Sequence, residues 1–200
     1  MLLAAFPQAR AQGTITFVTP GQPIYYAAGI ELTHDLDLNS DGLTDLILVS
    51  DAMRAYLAPQ ASSSVVLAPD GFVVPLNLGD LVSSDASSLD PTYAWFDSAA
   101  HPTGFATLGA QAVFDGQFIY TGYWSGRDAF VGLRFQYEGQ THYGWMEIAN
   151  NVGTASGQVL GWAYEIRPDT PILAGEVPEP GTPALLLLFG AAFWLVRKPL

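Results

Sequence analysis

Short runs of β-branched and aromatic residues, separated by Gly, Pro, Asp and Ser, make up most of the chain between residues 13 and 175. No long stretch there repeats apolar residues at the spacing of an amphipathic helix, and short runs bounded by turn residues are typical of strands. Twelve such runs predict an all-β protein, an antiparallel β-sandwich or jelly-roll-like domain. The predicted strands are 14–18, 23–27, 45–50, 64–68, 71–76, 93–96, 111–114, 118–122, 129–137, 141–149, 158–165 and 171–174, with a short helical turn at 81–86.

One hairpin is predicted residue by residue, because Glu138-Gly139 lies at the centre of the segment 129–149. A two-residue turn places Tyr137 opposite Gln140, whereas a three-residue loop would move every partner by one position. Two of the facing pairs would then make specific contacts. The Trp145 indole would lie across the backbone of Gly132, and the Arg134 guanidinium would lie over the phenol ring of Tyr143. The facing pairs of the two-residue turn are Phe135 with His142, Leu133 with Gly144, Val131 with Met146, Arg134 with Tyr143 and Gly132 with Trp145.

The net charge of the chain limits the classes of molecule that it can bind. The net charge is −12, and residues 12–177 carry eighteen acids, four arginines and no lysine. Such a surface repels phosphate backbones, so nucleic-acid binding is excluded, while cations and neutral or sugar-like partners suit it better. The chain has no cysteine, which excludes disulfides, thiolate metal sites and a cysteine nucleophile.

The stretch DLDLNSDGLTDL, residues 35–46, carries oxygen-bearing side chains at alternating positions. Counted from Asp37, they stand at positions one, three, five and nine, with glycine at six, which is the ligand spacing of an EF-hand loop. The glutamate of position twelve is absent, and the stretch resembles the shorter D-x-[DN]-x-D-G-x-x-D loops of dockerin-type and integrin-like repeats. The alternative is an Asx-rich turn with solvated acids, in which four close carboxylates would repel one another. We predict a structural calcium site formed by Asp35, Asp37, Asn39, Asp41 and Asp45.

No spacing of catalytic residue types indicates an enzyme. The three histidines have no paired spacing, and neither a G-x-S-x-G motif nor a phosphate-binding glycine loop is present. A glycan-active hydrolase, which needs two carboxylates across a cleft, remains an alternative. Its candidate carboxylates are Glu138, Glu147 and Glu165. Glu138 lies in a predicted turn, and the other two alternate with apolar residues, as solvent-facing strand residues do. The histidines are His34, His101 and His142.

A carbohydrate-binding, lectin-like module acting on exopolysaccharide is the other alternative. Exposed aromatic side chains would serve it as platforms for sugar rings, since an aromatic ring offers a large apolar face. The candidate platforms are Trp124, Trp145 and Trp162.

Both ends of the chain indicate export. The amino-terminal sequence MLLAAFPQARAQ ends in a small-x-small pattern, typical of signal-peptide cleavage before Gln12. It lacks a basic segment and its apolar stretch is short, so we interpret residues 1–11 as a truncated signal peptide, with an apolar N-terminal arm as the alternative. Residues 182–196 are uncharged and would form a helix of about 22 Å, short of the ~30 Å hydrocarbon core. Arg197 and Lys198 can extend its reach and place the C-terminus in the cytoplasm.

The C-terminal residues 177–200 resemble a PEP-CTERM sorting signal of Gram-negative bacteria. Pro178-Glu179-Pro180, the apolar segment and the basic pair Arg197-Lys198 follow one another in the order of that signal. The resemblance implies recognition by exosortase, cleavage near the tripeptide, and release from the inner membrane to the cell surface or an exopolysaccharide matrix. A plain single-pass anchor is the alternative. The stretches GLRF…GQTHYGW and WAYE…TPI also resemble segments of exported proteins that carry this signal. This second resemblance implies no known activity.

These observations divide the chain into three regions. We expect a truncated signal peptide at 1–11, a β-sandwich domain at 12–176, and a sorting signal at 177–200 with a short C-terminal transmembrane helix at 182–196. The expected protein is an exported, non-catalytic component of the cell surface or extracellular matrix that binds calcium.

Overall fold

The computed structural model describes residues 14–60, 62–97 and 104–178. In these ranges the chain forms antiparallel β-sheets and one 3-10 helix, Ala86–Ser88, and the all-β prediction is confirmed. The strands are β1 Ile15–Val18, β2 Ile24–Ala27, β3 Leu32–Leu36, β4 Leu46–Ser50, β5 Arg54–Pro59, β6 Ser64–Leu67, β7 Leu81–Val82, β8 Ala94–Phe96, β9 Ala106–Phe114, β10 Gln117–Thr121, β11 Asp128–Tyr137, β12 Gln140–Asn150, β13 Ser156–Glu165 and β14 Ile172–Leu173.

The strands form two main sheets. The larger sheet has the order β1-β13-β12-β11-β6-β8, and β2 also pairs with β13. The smaller sheet has the order β10-β9-β5-β4-β3, so that most neighbours in this sheet are also neighbours along the chain. β7 and β14 pair with each other as a separate ribbon.

The hairpin of β11 and β12 has the predicted register. Tyr137 pairs with Gln140, and every predicted pair from Phe135–His142 to Val131–Met146 is present. Glu138 and Gly139 both have positive φ, at 52° and 76°, as a two-residue type I′ turn requires.

The two predicted special contacts of this hairpin are not formed. The Arg134 guanidinium lies over Trp95 of β8, 4.9 Å from the ring centroid, rather than over Tyr143. The space above Gly132 is filled by Val66 and Leu76, which a Cβ at this position would meet at 3.0 and 3.1 Å. Both differences arise because neighbouring segments cover this face of the hairpin.

A continuous apolar core lies between the two main sheets. The smaller sheet contributes leucines such as Leu48 and Leu57, and the larger sheet contributes Phe135, Met146 and Trp162. Side chains of this kind stabilise the fold by roughly 1.5–3 kcal/mol each when fully buried. Face-to-face packing of two antiparallel sheets around such a core is a sandwich-like arrangement.

A second apolar cluster covers the opposite face of the larger sheet. Tyr143 and Trp145 of β12 pack there under Val74, Leu76 and neighbouring residues of an irregular segment. Residues 71–76, predicted as a strand, make only isolated bridges, and two of them, Val74 and Leu76, belong to this cover. The predicted turn at 81–86 is likewise β7 followed by the 3-10 helix. The larger sheet is therefore buried on both faces.

Several predictions concern residues outside the described ranges. These are the signal peptide at 1–11 and the membrane helix at 182–196. Within 14–60, 62–97 and 104–178, no helix has the length and apolar character needed to cross a membrane.

Candidate functional site

The acidic loop predicted to bind calcium joins β3 to β4 and is fixed to the end of the sandwich. Leu38, which is buried, anchors it in the core. The Leu38 carbonyl accepts a hydrogen bond from Trp162 Nε1 at 2.9 Å, and Asn39 Nδ2 donates to the Gln136 carbonyl at 3.4 Å. The loop therefore has a defined position over the ends of β11 and β13.

Inside the loop, carboxylate oxygens organise the backbone. Asp37 accepts hydrogen bonds from the backbone N–H groups of Asp41 at 3.2 Å and Gly42 at 2.8 Å. Asn39 Oδ1 also accepts from Asp41 N, at 2.9 Å, and Asp41 Oδ1 accepts from Leu43 N at 2.8 Å. Gly42, with a φ of 86°, makes the sharp turn possible. The chain thus wraps around the Asp37 carboxylate, whose oxygens each keep a further lone pair for a cation.

Asp45 closes the loop from its far end. It is buried, and its carboxylate accepts hydrogen bonds from Leu38 N at 2.9 Å and from Ser63 Oγ at 3.3 Å. Burial, reinforced by the charges of Asp41 and Asp37 and only partly offset by these hydrogen bonds, raises the pKa of Asp45 to about 6. The folded loop therefore disfavours its own negative charge at neutral pH, which is a condition that a bound cation would relieve.

Four of the five predicted ligands lie in the loop itself. Asp37, Asn39, Asp41 and Asp45 share the loop, whereas Asp35 lies within β3, paired with Ile47, with an exposed side chain. Across the described ranges, no three Asp, Glu, His or Cys side chains are close enough to hold a metal by themselves. A cation here would depend on the Asn39 amide, backbone carbonyls and water for part of its shell, all of which suit calcium.

Ser63 contacts this loop, which the sequence did not reveal. It lies eighteen positions from Asp45 in the chain, yet its hydroxyl contacts the carboxylate. The backbone of the same segment contributes as well, because Gln60 N donates to the Asp45 carbonyl at 2.8 Å. No local pattern connects these residues; only the pairing of β4 with β5 brings them together.

The three tryptophans predicted as sugar platforms are buried, which corrects that prediction. Each indole N–H donates to a backbone carbonyl: Trp124 to Val73 at 2.9 Å, and Trp145 to Glu176 at 3.1 Å. Trp162 donates to the loop, as described above. Their exposed fractions are 0 %, 1 % and 7 %. Their side chains are part of the two apolar cores, and the faces of their rings are covered.

The acids offered for hydrolysis are not paired. Glu147 lies opposite Gly161, four residues before Glu165 along β13, so their backbone positions are about 14 Å apart, at ~3.3 Å per residue along the strand and ~4.8 Å between the strands. A glycosidase needs its carboxylates about 5–10 Å apart. Glu165 is also buried rather than solvent-facing, and it binds Arg167 and Thr14. Glu138 lies in the hairpin turn, as predicted.

The histidines described by the structure each contact a backbone carbonyl. His34 Nε2 lies 2.9 Å from the Tyr25 oxygen, and His142 Nδ1 lies 2.9 Å from the Glu165 oxygen. His142 is buried and stacks on Phe135. His101 lies outside the described residues.

Of the predicted sorting motif, only Pro178 is described, and it is exposed. The other motif residues lie outside the described ranges: Glu179, Pro180, Arg197 and Lys198.

Comparisons of this chain with protein-family models, with curated proteins and with solved structures find no match.

Proposed function

We propose that this protein is an exported component of the cell surface or extracellular matrix of a Gram-negative bacterium, delivered by exosortase. The proposal rests on the ordered tripeptide, apolar segment and basic pair of residues 177–200. In this proposal a sandwich or jelly-roll-like domain is held at the inner membrane by a short C-terminal helix until cleavage releases it. The acidic surface of the domain suits a hydrated, sugar-rich environment.

We further propose that the β3–β4 loop binds calcium and acts structurally. This is supported by four oxygen-bearing side chains on one wrapped loop, Asp37, Asn39, Asp41 and Asp45, and by the raised pKa of the buried Asp45. Calcium would neutralise that charge and join β3 to β4 and to the ends of the larger sheet. The Glu165 carboxylate is already bound by Arg167 and Thr14, which supports a non-catalytic role.

The sorting proposal is tested by the mass of the released protein. In a host that has exosortase, surface-released protein is expected to lack the residues that follow Pro178–Pro180. Replacement of Pro178, Glu179 and Pro180 by alanine should leave the protein in the membrane fraction. Recovery of released protein that still ends at Leu200 would show that the signal does not act in this way.

The calcium proposal is tested by thermal unfolding with calcium and then with a chelator. Calcium at 100 times its dissociation constant should stabilise the wild type by about 2.7 kcal/mol. Asp41→Ala should lose this response, whereas Asp115→Ala, in the exposed β9–β10 turn, should keep it. A melting temperature that does not change on chelation of the wild type would exclude calcium from the function.

A further inference from the structure

A small open cavity lies on the cover of the larger sheet, away from the acidic loop. It has a volume of about 220 Å³. It forms where three irregular segments meet, around residues 74–77, 93 and 123–127. Two phenol side chains, an amide and a guanidinium line it: Tyr93, Tyr123, Asn77 and Arg127.

Tyr123 is an exposed aromatic side chain held in one orientation. Its ring packs edge-on against Phe72, with centroids 6.0 Å apart, and its hydroxyl donates to Asp70 Oδ2 at 2.5 Å. Tyr123 as a residue remains 44 % exposed. Tyr93 packs by part of its surface against the second core cluster. These two phenols offer what the buried tryptophans do not, which is a fixed aromatic surface open to solvent.

Arg127 is a positive charge without an ionic partner among the described residues. The hydrogen bond that its side chain makes within that part of the chain is a long one, from Nη2 to Asn77 Oδ1 at 3.5 Å. Asn77 is itself held in place, since its backbone N–H donates to Asp80 Oδ2 at 2.7 Å. The other described arginines are engaged: Arg54 with Asp51, Arg167 with Glu165, and Arg134 over Trp95.

The floor of the cavity is rigid. Trp124, fully buried, donates its indole N–H to the Val73 carbonyl and so ties the segment carrying Arg127 to the segment carrying Asn77. The backbone of Arg127 is fixed at both ends, because its N–H donates to the Trp124 carbonyl and its carbonyl accepts from Asn150 N. A site held in this way needs little reordering when a ligand binds.

We propose that this cavity binds an acidic sugar residue, a hexuronate unit of a polysaccharide. The phenol rings would pack against the apolar face of the sugar ring, and the guanidinium would take its carboxylate in a two-pronged hydrogen bond. The Asn77 amide would donate to or accept from the sugar hydroxyls, and the nearby Asp70 carboxylate would accept from them. A volume of about 220 Å³ lies below the 300–1,000 Å³ of drug-sized pockets, so it fits one ring of a chain that continues outside.

The charges around the cavity favour a carboxylate over a phosphate. Asp70 and Asp80 are bonded to two of the lining residues, and their negative charges oppose a doubly charged anion more than a singly charged one. Arg127 carries the one positive charge among the lining residues and can pair with a single carboxylate. Among anions, the site therefore favours a singly charged sugar unit.

The inference deepens the proposed function, because it gives a surface-delivered domain a matrix polysaccharide to bind. Its failure is separate from failure of the sorting proposal. Binding is measured on the purified full-length chain, whereas sorting is measured by the mass of the released protein in cells.

The test is calorimetric titration of the full-length chain with oligogalacturonate, and with a cello-oligosaccharide of equal length as the neutral probe. We expect the uronate to bind and the neutral oligosaccharide to bind at least tenfold more weakly. Arg127→Gln and Tyr123→Ala should each weaken uronate binding at least tenfold. Tyr25→Ala removes a similarly exposed tyrosine on β2 and should leave binding unchanged.

Melting temperatures of the variants provide the folding control, since both tested side chains are exposed and should leave the fold intact. Absence of uronate binding by the wild type would overturn the proposal. Equal binding of the two oligosaccharides, or unchanged uronate binding by well-folded Arg127→Gln, would overturn it as well.

Discussion

The ionised carboxylate of Asp45 lowers the stability of the calcium-free protein, although the proposed calcium site needs it. This carboxylate is buried and faces the charges of Asp37 and Asp41, and its pKa is raised to about 6. The ordinary value is about 3.9. At pH 7 the folded protein therefore keeps an ionised group that the unfolded chain accommodates more easily. Such a cost is typical of a functional position rather than of an optimised turn.

Asp45→Asn should therefore stabilise the calcium-free protein and abolish its response to calcium. In chelator at pH 7 we expect a gain on the order of 1–2 kcal/mol, because the raised pKa means that the charge is costly. The asparagine can keep both hydrogen bonds, accepting from Leu38 N and donating to Ser63 Oγ. Thermal unfolding with chelator and with calcium measures both effects.

Asp41→Asn is the matched control, since Asp41 is exposed. Asp41→Asn should weaken the stabilisation by calcium and change the melting temperature in chelator only a little. If Asp45→Asn destabilises the chelated protein, the charge of Asp45 is not the cost that the geometry indicates.

At the scale of elements, the β11–β12 hairpin is the longest pairing in the fold and forms the centre of the larger sheet. Both of its faces are buried, so a register error would expose one of the two cores. The turn at Glu138-Gly139 sets that register. Glu138 has a positive φ of 52°, which a residue with a long side chain adopts at a cost.

Two substitutions in this turn should change stability in opposite directions. Gly139→Ala should destabilise the protein by about 1–2 kcal/mol, because alanine at a φ of 76° is strained. Apart from its two chain neighbours, nothing lies within 4 Å of the added Cβ, so the loss measures backbone strain. Glu138→Asn should stabilise it by up to ~1 kcal/mol, since asparagine tolerates positive φ. Urea unfolding gives both values.

Glu138→Ala is the control for the loss of the glutamate charge. It should not give the increase in stability that is expected for Glu138→Asn. Changes below ~0.3 kcal/mol in both test variants would mean that the turn does not carry the strain inferred from its φ values.

At the scale of the whole molecule, Glu165 joins the start of the described chain to the end of β13. It lies at the end of β13, and its carboxylate binds Thr14, beside the start of β1, together with the Arg167 side chain and backbone N–H. Burial acts to raise the pKa of Glu165, but the hydrogen bonds from Arg167 and Thr14 outweigh it and hold the pKa below its ordinary value. The folded state therefore favours the ionised form.

This group should contribute to stability above about pH 4.3, the ordinary pKa of glutamate, and lose its contribution as the pH falls through the lower folded value. Glu165→Gln is expected to cost about 1 kcal/mol at pH 7, since its partner Arg167 is half exposed. The difference between wild type and variant should shrink below pH 4. Melting temperatures between pH 7 and pH 2.5 test this.

Glu31→Gln serves as the control, because Glu31 is an exposed glutamate in the smaller-sheet half of the molecule. It should shift stability little at any pH. A difference between wild type and Glu165→Gln that grows at low pH would contradict the ion pair as the source of the stability.

Local patterns in the sequence were sufficient for features that depend on neighbouring residues. The hairpin register follows from the two-residue turn and the alternation of side chains, which only one pairing satisfies. The wrapped conformation of the acidic loop follows from Asp37, Asn39 and Asp41, whose short side chains bond backbone N–H groups a few positions away. Most strands were predicted for the same reason, because their apolar and aromatic runs are continuous.

The tertiary structure decided everything that depends on distant segments. β3 and β5 were missed because LTHDL and RAYLAP are polar or contain proline, and pairing with β4 on either side makes them strands. Alternation placed Trp145 on a face but could not say that this face is covered by a second core. The contact of Ser63 with Asp45 and the cavity lined by Tyr93, Tyr123 and Arg127 join residues from separate loops. Which segments meet is determined by the summed burial of the two cores, and no single stretch of the chain contains that information.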